Sequence, residues 1–229
     1  MASAISIISS MATRQVLAEL VAQFQQTSAQ QVSVESVGGV DAARRVQAGE
    51  AFDVVILAAN AIEQLTQAGR IVPGSRVDLV HSGVSVAVRA GAARPDIASA
   101  AAVRAAVLAA RSLGYSTGPS GVHLAKLFER WGIADAIKSR IVQAPPGVPV
   151  GSLVARGEVE LGFQQLSELI HQDGIDVLGP LPPAIQINTI FSAGLSATST
   201  QARAVRALLD FMASPAATDI KRRNGLEPA

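Results

Sequence analysis

Short β-prone runs alternate with segments of helical spacing along almost the whole chain, and this alternation constrains the fold more than any other feature. Residues 5–8 form an apolar run, and residues 12–26 place their large apolar side chains at helical spacing. The order repeats at residues 32–37, where Val alternates with Ser and Glu before a glycine pair and a helix that Asp41 is expected to cap. Such alternation is typical of an α/β protein with mainly parallel sheets.

The same reading extends to the end of the chain. Further strands are predicted at residues 52–58, 84–88, 112–115, 159–164 and 189–193, and further helices at 61–68, 98–110, 150–156, 167–171 and 200–212, with one more between the 116–121 loop and Trp131. His81-Ser82-Gly83 is interpreted as the connection before a strand, and Lys221 to Arg223 as a solvated basic tail.

Composition excludes several function classes. Nineteen Lys and Arg against eighteen Asp and Glu give a formal net charge of +1, so no overall field favours nucleic acid, and no segment predicts membrane insertion. Cysteine is absent, and the three histidines lack the spacing of a metal site, so neither a metal nor a cofactor is expected. The first residues carry no export signal; we expect a periplasmic protein if such a signal has been removed, and a cytoplasmic one otherwise.

Turns rich in hydroxyls and glycines precede several predicted helices, where backbone N–H groups have no partner within the helix and can bind an anion. After the first two strands these candidates are Ser9, Ser10 and Met11, then Gly38, Gly39 and Val40. Later in the chain they are Ser116, Thr117, Ser120 and Gly121. Gln165 and Ser167 follow another strand end and complete the candidate set of ligand-binding residues.

Several blocks of residues, in order along nearly the whole chain, resemble the bacterial periplasmic molybdate-binding proteins, within the type II solute-binding proteins. The blocks are Ser10-Met11-Ala12-Thr13, residues 43–49, Phe52-Asp53-Val54-Val55-Ile56, Pro119-Ser120-Gly121-Val122 with Ala125-Lys126, Gly157-Glu158, and Leu161-Gly162-Phe163-Gln164-Gln165. The resemblance implies the type II periplasmic-binding-protein fold: two α/β lobes, a ligand cleft between them and closure by a hinge. We expect lobe 1 to comprise residues 1–80 and 190–229, and lobe 2 residues 81–189.

The resemblance also implies a small anionic ligand and a partner in the membrane component of an ABC transporter. Family members bind their oxyanion through serine hydroxyls, backbone N–H groups and a tyrosine hydroxyl. In this sequence the corresponding positions fall near Ala12 and at Gly39 and Gln165, so these hydroxyls are missing. A buried dianion would lose charge-assisted hydrogen bonds there, which makes an organic polycarboxylate a better expected ligand than molybdate.

Two functions remain open from the sequence. One is a solute receptor that closes on a small anion and delivers it to a transporter. The other follows from the aconitate isomerase-like members of the resembled family: a base would move a proton within a tricarboxylate, and His81, His123 and Glu168 are the candidates in that case. For Glu168 the preferred interpretation is a solvated carboxylate at a helix start, because a helix N-terminus favours an acid there without any functional role.

Overall fold

The computed structural model describes residues 4–145 and 147–229 and divides the chain into two compact units. Unit 1 contains residues 4–82 and Ile190–Ala229, and unit 2 contains Gly83–Thr189. Two long strands, Val77–Arg89 and Asn188–Leu195, run across the unit boundaries. Each unit therefore receives part of both strands.

Unit 1 is built around a sheet whose strand order begins β2-β1-β3-β9. Its elements are β1 Ile5–Ser10, α1 Arg14–Thr27, β2 Val32–Val37, α2 Gly39–Gln47, β3 Val54–Ala58, α3 Ala59–Gln67, the first part of β4 Val77–Arg89, most of β9 Asn188–Leu195, α9 Ala202–Ala213, α10 Thr218–Arg223 and β10 Glu227–Pro228. Strand β1 pairs in parallel with β2 and β3, whereas β9 is antiparallel to β3. The carboxyl ends of β1 and β2 therefore lie side by side, with Ser10 opposite Val37.

Unit 2 repeats this plan with its own sheet. Its elements are the second part of β4, α4 Ala100–Ala109, β5 Leu113–Ser116, α5 Pro119–Arg130, α6 Ala134–Ile137, β6 Ile141–Ala144, α7 Val150–Ala155, β7 Leu161–Gln165, α8 Leu166–Leu169 and β8 Ile175–Pro180. Strands β6 and β7 flank β5 in parallel, and β7 and β8 both run antiparallel to β4. The carboxyl ends of β5 and β7 thus share one edge of the sheet.

Each sheet is covered on both faces, which explains why its central strands are almost continuously apolar. In unit 1, β3 is buried at every position from Val54 to Ala58, with Val54 and Ile56 in one apolar cluster and Val55 and Leu57 in another. In unit 2 the larger cluster packs around Phe128 and Phe163, and a smaller one around Val150 and Val154 lies beneath α7. The class predicted from the alternating pattern, α/β, is confirmed by these two layered units.

Three details of the predicted elements are wrong. His81-Ser82-Gly83 is not a connection but part of β4, where His81 pairs with Glu227 of β10 and Ser82 is buried. Asp41 does not cap α2; Gly38 is the N-cap residue, and the Asp41 carboxylate accepts a 2.9 Å hydrogen bond from Arg44 instead. The antiparallel strands β8 and β10 were not predicted at all, since neither is long or strongly apolar.

The prediction of a solvated basic tail fails at Lys221. Its side chain is only 2% exposed, on the inner face of α10, and desolvation lowers its pKa. Its neighbours Arg222 and Arg223 do reach the surface, where they pair with Glu227 and Glu19. A long aliphatic stem allows lysine to cover apolar surface, so charge alone did not reveal its position.

Candidate functional site

The first candidate turn of unit 1 follows β1. The Ser9 hydroxyl is fully buried and lies 2.7 Å from the Ser36 hydroxyl, so it links β1 to β2. The Ser10 hydroxyl accepts a 3.4 Å hydrogen bond from the Ala12 N–H and caps the short 3₁₀ turn Met11–Thr13. Of the two serines, Ser10 is therefore the one whose hydroxyl is placed at the turn itself.

The second candidate turn of unit 1 lies against the first. A Cβ atom built on Gly39 would lie 3.6 Å from the Ser10 Oγ, which is an ordinary van der Waals separation. Gly38 is the N-cap of α2, so the N–H groups of Gly39 and Val40 belong to its first turn and have no acceptor within the helix. Val40 is 62% exposed. Unit 1 thus gathers one hydroxyl and several backbone donors in adjacent turns.

Cationic side chains on α2 are engaged elsewhere. Arg45 donates to both Glu35 and Glu50, and its guanidinium lies 5.4 Å from the centre of the Phe52 ring. Arg44 pairs with Asp41 on the exposed side of the helix. Neither of these two arginines is left to neutralise a carboxylate at the turn.

The first candidate turn of unit 2 joins β5 to α5. The Ser116 hydroxyl accepts a 3.4 Å hydrogen bond from the Gly118 N–H, Thr117 is exposed, and Ser120 is buried in the first turn of α5. A Cβ atom on Gly121 would lie 1.8 Å from the Ser116 carbonyl oxygen, so no larger residue fits at this position. The close approach holds the start of the helix tightly against the end of the strand.

The second candidate turn of unit 2 joins β7 to α8. Gln165 is buried, and its Nε2 donates a 3.1 Å hydrogen bond to the Thr189 hydroxyl, which is also buried. Ser167 lies in the first turn of α8 and is 5% exposed. Because β5 and β7 are parallel neighbours, this turn and the Ser116–Gly121 turn lie at the same edge of the unit 2 sheet.

Glu168 is the most perturbed acid in the described part of the chain. It lies in the first turn of α8, partly buried, and its Oε1 accepts a 2.8 Å hydrogen bond from Gln164 Nε2. Desolvation raises the pKa of its carboxyl to about 7, against the opposing effect of the Gln164 hydrogen bond. Its interpretation as an ordinary solvated carboxylate is therefore wrong, and it titrates where a general base is useful.

The other two candidate bases belong to other elements. His81 is exposed on the unit 1 part of β4, opposite Glu227 of β10. His123 is exposed on the first part of α5. The contact that the structure gives the Glu168 carboxyl is with Gln164.

Two polar residues behind the unit 2 turn were not among the predicted site residues. Gln164 is 2% exposed and Ser85 is 1% exposed, and they pair across β4 and β7. The sequence places Gln164 near the end of a predicted strand, but it does not show that the side-chain amide of Gln164 contacts Glu168. Among residues 4–145 and 147–229, no group of three His, Asp or Glu side chains could hold a metal ion, and no helix is long and apolar enough to cross a membrane.

The fold places the chain in a known class. The periplasmic molybdate-binding protein of Azotobacter vinelandii matches with a TM-score of 0.80 at 21% identity, over 97% of this chain and 98% of that one. The tungstate-binding protein of Desulfovibrio alaskensis matches with a TM-score of 0.72 at 16% identity, over 100% and 99% of the two chains. The chain therefore has the type II periplasmic-binding-protein fold, as the sequence resemblance implied.

Sequence comparison gives the family. The model of the bacterial extracellular solute-binding proteins matches residues 5–227. A relative described as aconitate isomerase, from a Pseudomonas species, is 40% identical over 187 residues, which are 80% of this chain and 70% of the relative. The chain belongs to this family of bacterial extracellular solute-binding proteins.

Proposed function

We propose that the protein binds a small unsaturated polycarboxylate and isomerises it by allylic proton transfer, as an aconitate isomerase. One observation carries the proposal: Glu168, at the edge of the unit 2 sheet that bears the donor turns, has a carboxyl whose pKa is raised to about 7. A solute receptor needs donors but no base. The 40% identity to the Pseudomonas aconitate isomerase supports the same reaction.

The chemistry needs only a base and stabilisation of negative charge. Glu168 removes a proton from the methylene carbon beside a carboxylate, the C–H electrons form a new double bond, and the old double bond shifts its electrons towards its own carboxylate. The protonated Glu168 then delivers the proton to the former alkene carbon. Backbone N–H groups of the donor turns stabilise the charge that develops between these steps. Atoms balance without an oxidant or a metal ion.

The donor set supports a carboxylate ligand. The proposed ligand-binding residues are Ser9, Ser10, Met11, Gly38, Gly39, Val40, Ser116, Thr117, Ser120, Gly121, Gln165 and Ser167. Among them the Ser9 hydroxyl is occupied by Ser36, and Gly39 offers no side chain where the resembled family has a hydroxyl. Planar carboxylates can use the N–H groups that remain, whereas a compact tetrahedral dianion would be left with unmatched oxygen atoms.

The test is conversion of trans-aconitate in D₂O, followed by ¹H NMR. We expect cis-aconitate to accumulate and the methylene signals of both isomers to lose intensity as deuterium enters, because the transferred proton exchanges with solvent. If the proton moves faster than it exchanges with solvent, deuterium enters only slowly, so the incubation is continued over many turnovers. Conversion with no deuterium entry even then would contradict a mechanism in which Glu168 exchanges its proton with solvent. No conversion above the protein-free control would contradict the proposed reaction.

A second candidate is a receptor for a small anion that serves an ABC transporter, and the fold supports it. Structural neighbours with this fold include the molybdate- and tungstate-binding proteins and a sulfate-binding protein of Mycobacterium tuberculosis, with a TM-score of 0.78 at 15% identity. Such a role implies a periplasmic location. Calorimetric titration with molybdate, sulfate and citrate discriminates: tight molybdate binding without turnover of aconitate favours the receptor over the isomerase.

A further inference from the structure

Gln164 connects the start of one helix of unit 2 to the candidate base at the start of another. It is the fourth residue of β7, and only 2% of its surface is exposed. Its Oε1 accepts a 3.2 Å hydrogen bond from the Gly151 N–H, and its Nε2 donates the 2.8 Å hydrogen bond to Glu168 Oε1. A single buried amide is thus held at both ends.

The orientation of this amide is fixed by chemistry. Gly151 lies in the first turn of α7, where a backbone N–H has no acceptor within its helix. Because an N–H can only donate, the Gln164 oxygen must face Gly151 and the amide nitrogen must face Glu168. The reversed amide would place donor against donor at α7, in a region where buried donors need partners.

The surroundings of the amide are dry. Val84, Val86 and Phe163 face the larger apolar cluster of the unit, so Ser85 and Gln164, which alternate with them, face α7. Ser85 is 1% exposed, and its hydroxyl has no hydrogen-bond partner. Hydrogen bonds are stronger in such a water-poor environment than at the surface, and the contact with Gln164 favours the ionised Glu168 carboxylate against the larger effect of desolvation.

We propose that Gln164 is a positioning residue that engages Oε1 of Glu168 as an acceptor and leaves Oε2 as the atom that takes up and releases the transferred proton. A carboxyl carries one proton, and an oxygen that faces an N–H donor is the unfavourable place for it. This inference rests on the proposed function for its catalytic meaning, but not for its geometry.

The same contact tunes the titration of Glu168. A donor favours the ionised carboxylate, so Gln164 opposes the desolvation that raises the pKa. Strand β7 and helix α7 contain no titratable residue. The titratable residues nearest in sequence to Glu168 are His171 and Asp173, three and five residues beyond it, and Glu160, eight residues before it.

The experiment measures the Glu168 titration directly, by ¹³C NMR of protein labelled at the glutamate side-chain carboxyl, with Glu168→Gln used to assign the signal. In Gln164→Met, which keeps the length of the side chain but lacks the donor, we expect the pKa of Glu168 to rise by roughly one unit. The pH at half-maximal kcat for aconitate should rise by the same amount. Gln143→Leu, at an exposed position on β6, is the control and should leave both values unchanged.

A second variant guards against misfolding of the first, since Gln164→Met leaves the Gly151 N–H without an acceptor. Gln164→Glu keeps an acceptor for Gly151 and places a second carboxyl against Glu168, so the pair should titrate in two steps with the upper one above 7. Glu168 titrating as in the wild type in both folded variants would overturn the positioning role. If the titration moves as expected but the wild type does not convert aconitate, the positioning stands and the isomerase proposal fails.

Discussion

The two units offer anion donors in the same way but differ in what lies behind them. In unit 1, Ser10 and the first N–H groups of α2 form a small set of donors, and the acid in the first turn of α2, Asp41, is paired with Arg44. In unit 2, similar donors at Ser116–Gly121 share a sheet edge with Glu168, whose pKa is raised by burial. Under the proposed function, both units contribute donors to the ligand, and the edge of the unit 2 sheet also supplies the base.

The largest difference between the two units is expected when the base is removed and the donor turns are kept. Glu168→Gln keeps the acceptor for Gln164 Nε2 but cannot accept a proton, so kcat for aconitate should fall about 10²- to 10⁴-fold with KM little changed. Ser10→Ala in unit 1 should instead raise KM about tenfold, since it removes one hydroxyl donor and no base. Steady-state kinetics at pH 8 measure both.

Glu158→Gln is the matched control, because this glutamate is also in unit 2 but lies at the surface in an ion pair with Arg156. It should behave as the wild type in both constants. Equal losses in kcat from Glu168→Gln and Ser10→Ala would show that the division of roles between the units is wrong.

The stability of the protein should reveal the same acid without any substrate. The pKa of Glu168 is about 7 in the folded protein, against an ordinary value of 4.5. Below pH 4.5 the carboxyl is protonated in both the folded and the unfolded state and does not change the free energy of unfolding. Between pH 4.5 and 7 only the unfolded state ionises readily, so the folded state loses stability, and above pH 7 this loss is complete. The shift corresponds to at most about 3 kcal/mol of lost stability. Glu168→Gln removes this loss.

We therefore expect the free energy of unfolding of Glu168→Gln, relative to the wild type, to rise by about 2 kcal/mol between pH 5 and pH 8. Urea denaturation at the two pH values measures it, with Glu158→Gln again as the control. A difference between variant and wild type that does not depend on pH would mean that the carboxyl titrates normally.

Sequence reasoning predicted the fold correctly, but it did not predict the environment of the candidate base. Regular alternation predicted the strands that turned out to be β1, β2, β3 and β5, because local periodicity reports burial directly. It could not show that Glu168 is desolvated, since the atoms that cover a side chain come from residues distant in the chain. Lys221 illustrates the same limit, because a charged residue in a basic run was buried by tertiary packing.

Adding a hydroxyl to unit 1 should sharpen the comparison at its binding turns. Gly39→Ser places a Cβ 3.6 Å from the Ser10 Oγ without a clash, at the position where the resembled family has a hydroxyl. We expect molybdate to bind about tenfold more tightly than to the wild type, because one hydrogen bond to a charged ligand is gained. Isothermal titration calorimetry measures it, with Ala51→Ser as a control at an exposed position before β3. An unchanged affinity would place the ligand away from α2.

The smallest expected effect concerns the Ser85 hydroxyl of unit 2, which is buried without a hydrogen-bond partner, unlike the serine hydroxyls of the unit 1 turns. Ser85 is buried in β4, and its Oγ has no partner, so Ser85→Ala removes a desolvated polar group while the small cavity it leaves costs little. We expect the free energy of unfolding to increase by about 1 kcal/mol, measured by urea denaturation. Ser192→Ala is the contrasting control, since its hydroxyl donates a 2.6 Å hydrogen bond to Asp78 and its loss should destabilise by about 1 kcal/mol or more. If Ser85→Ala also destabilises the protein, the Ser85 hydroxyl must be hydrogen-bonded in solution, by an internal water molecule beside Gln164. The packing around Gln164 and Glu168 would then contain water, contrary to the dry environment described above.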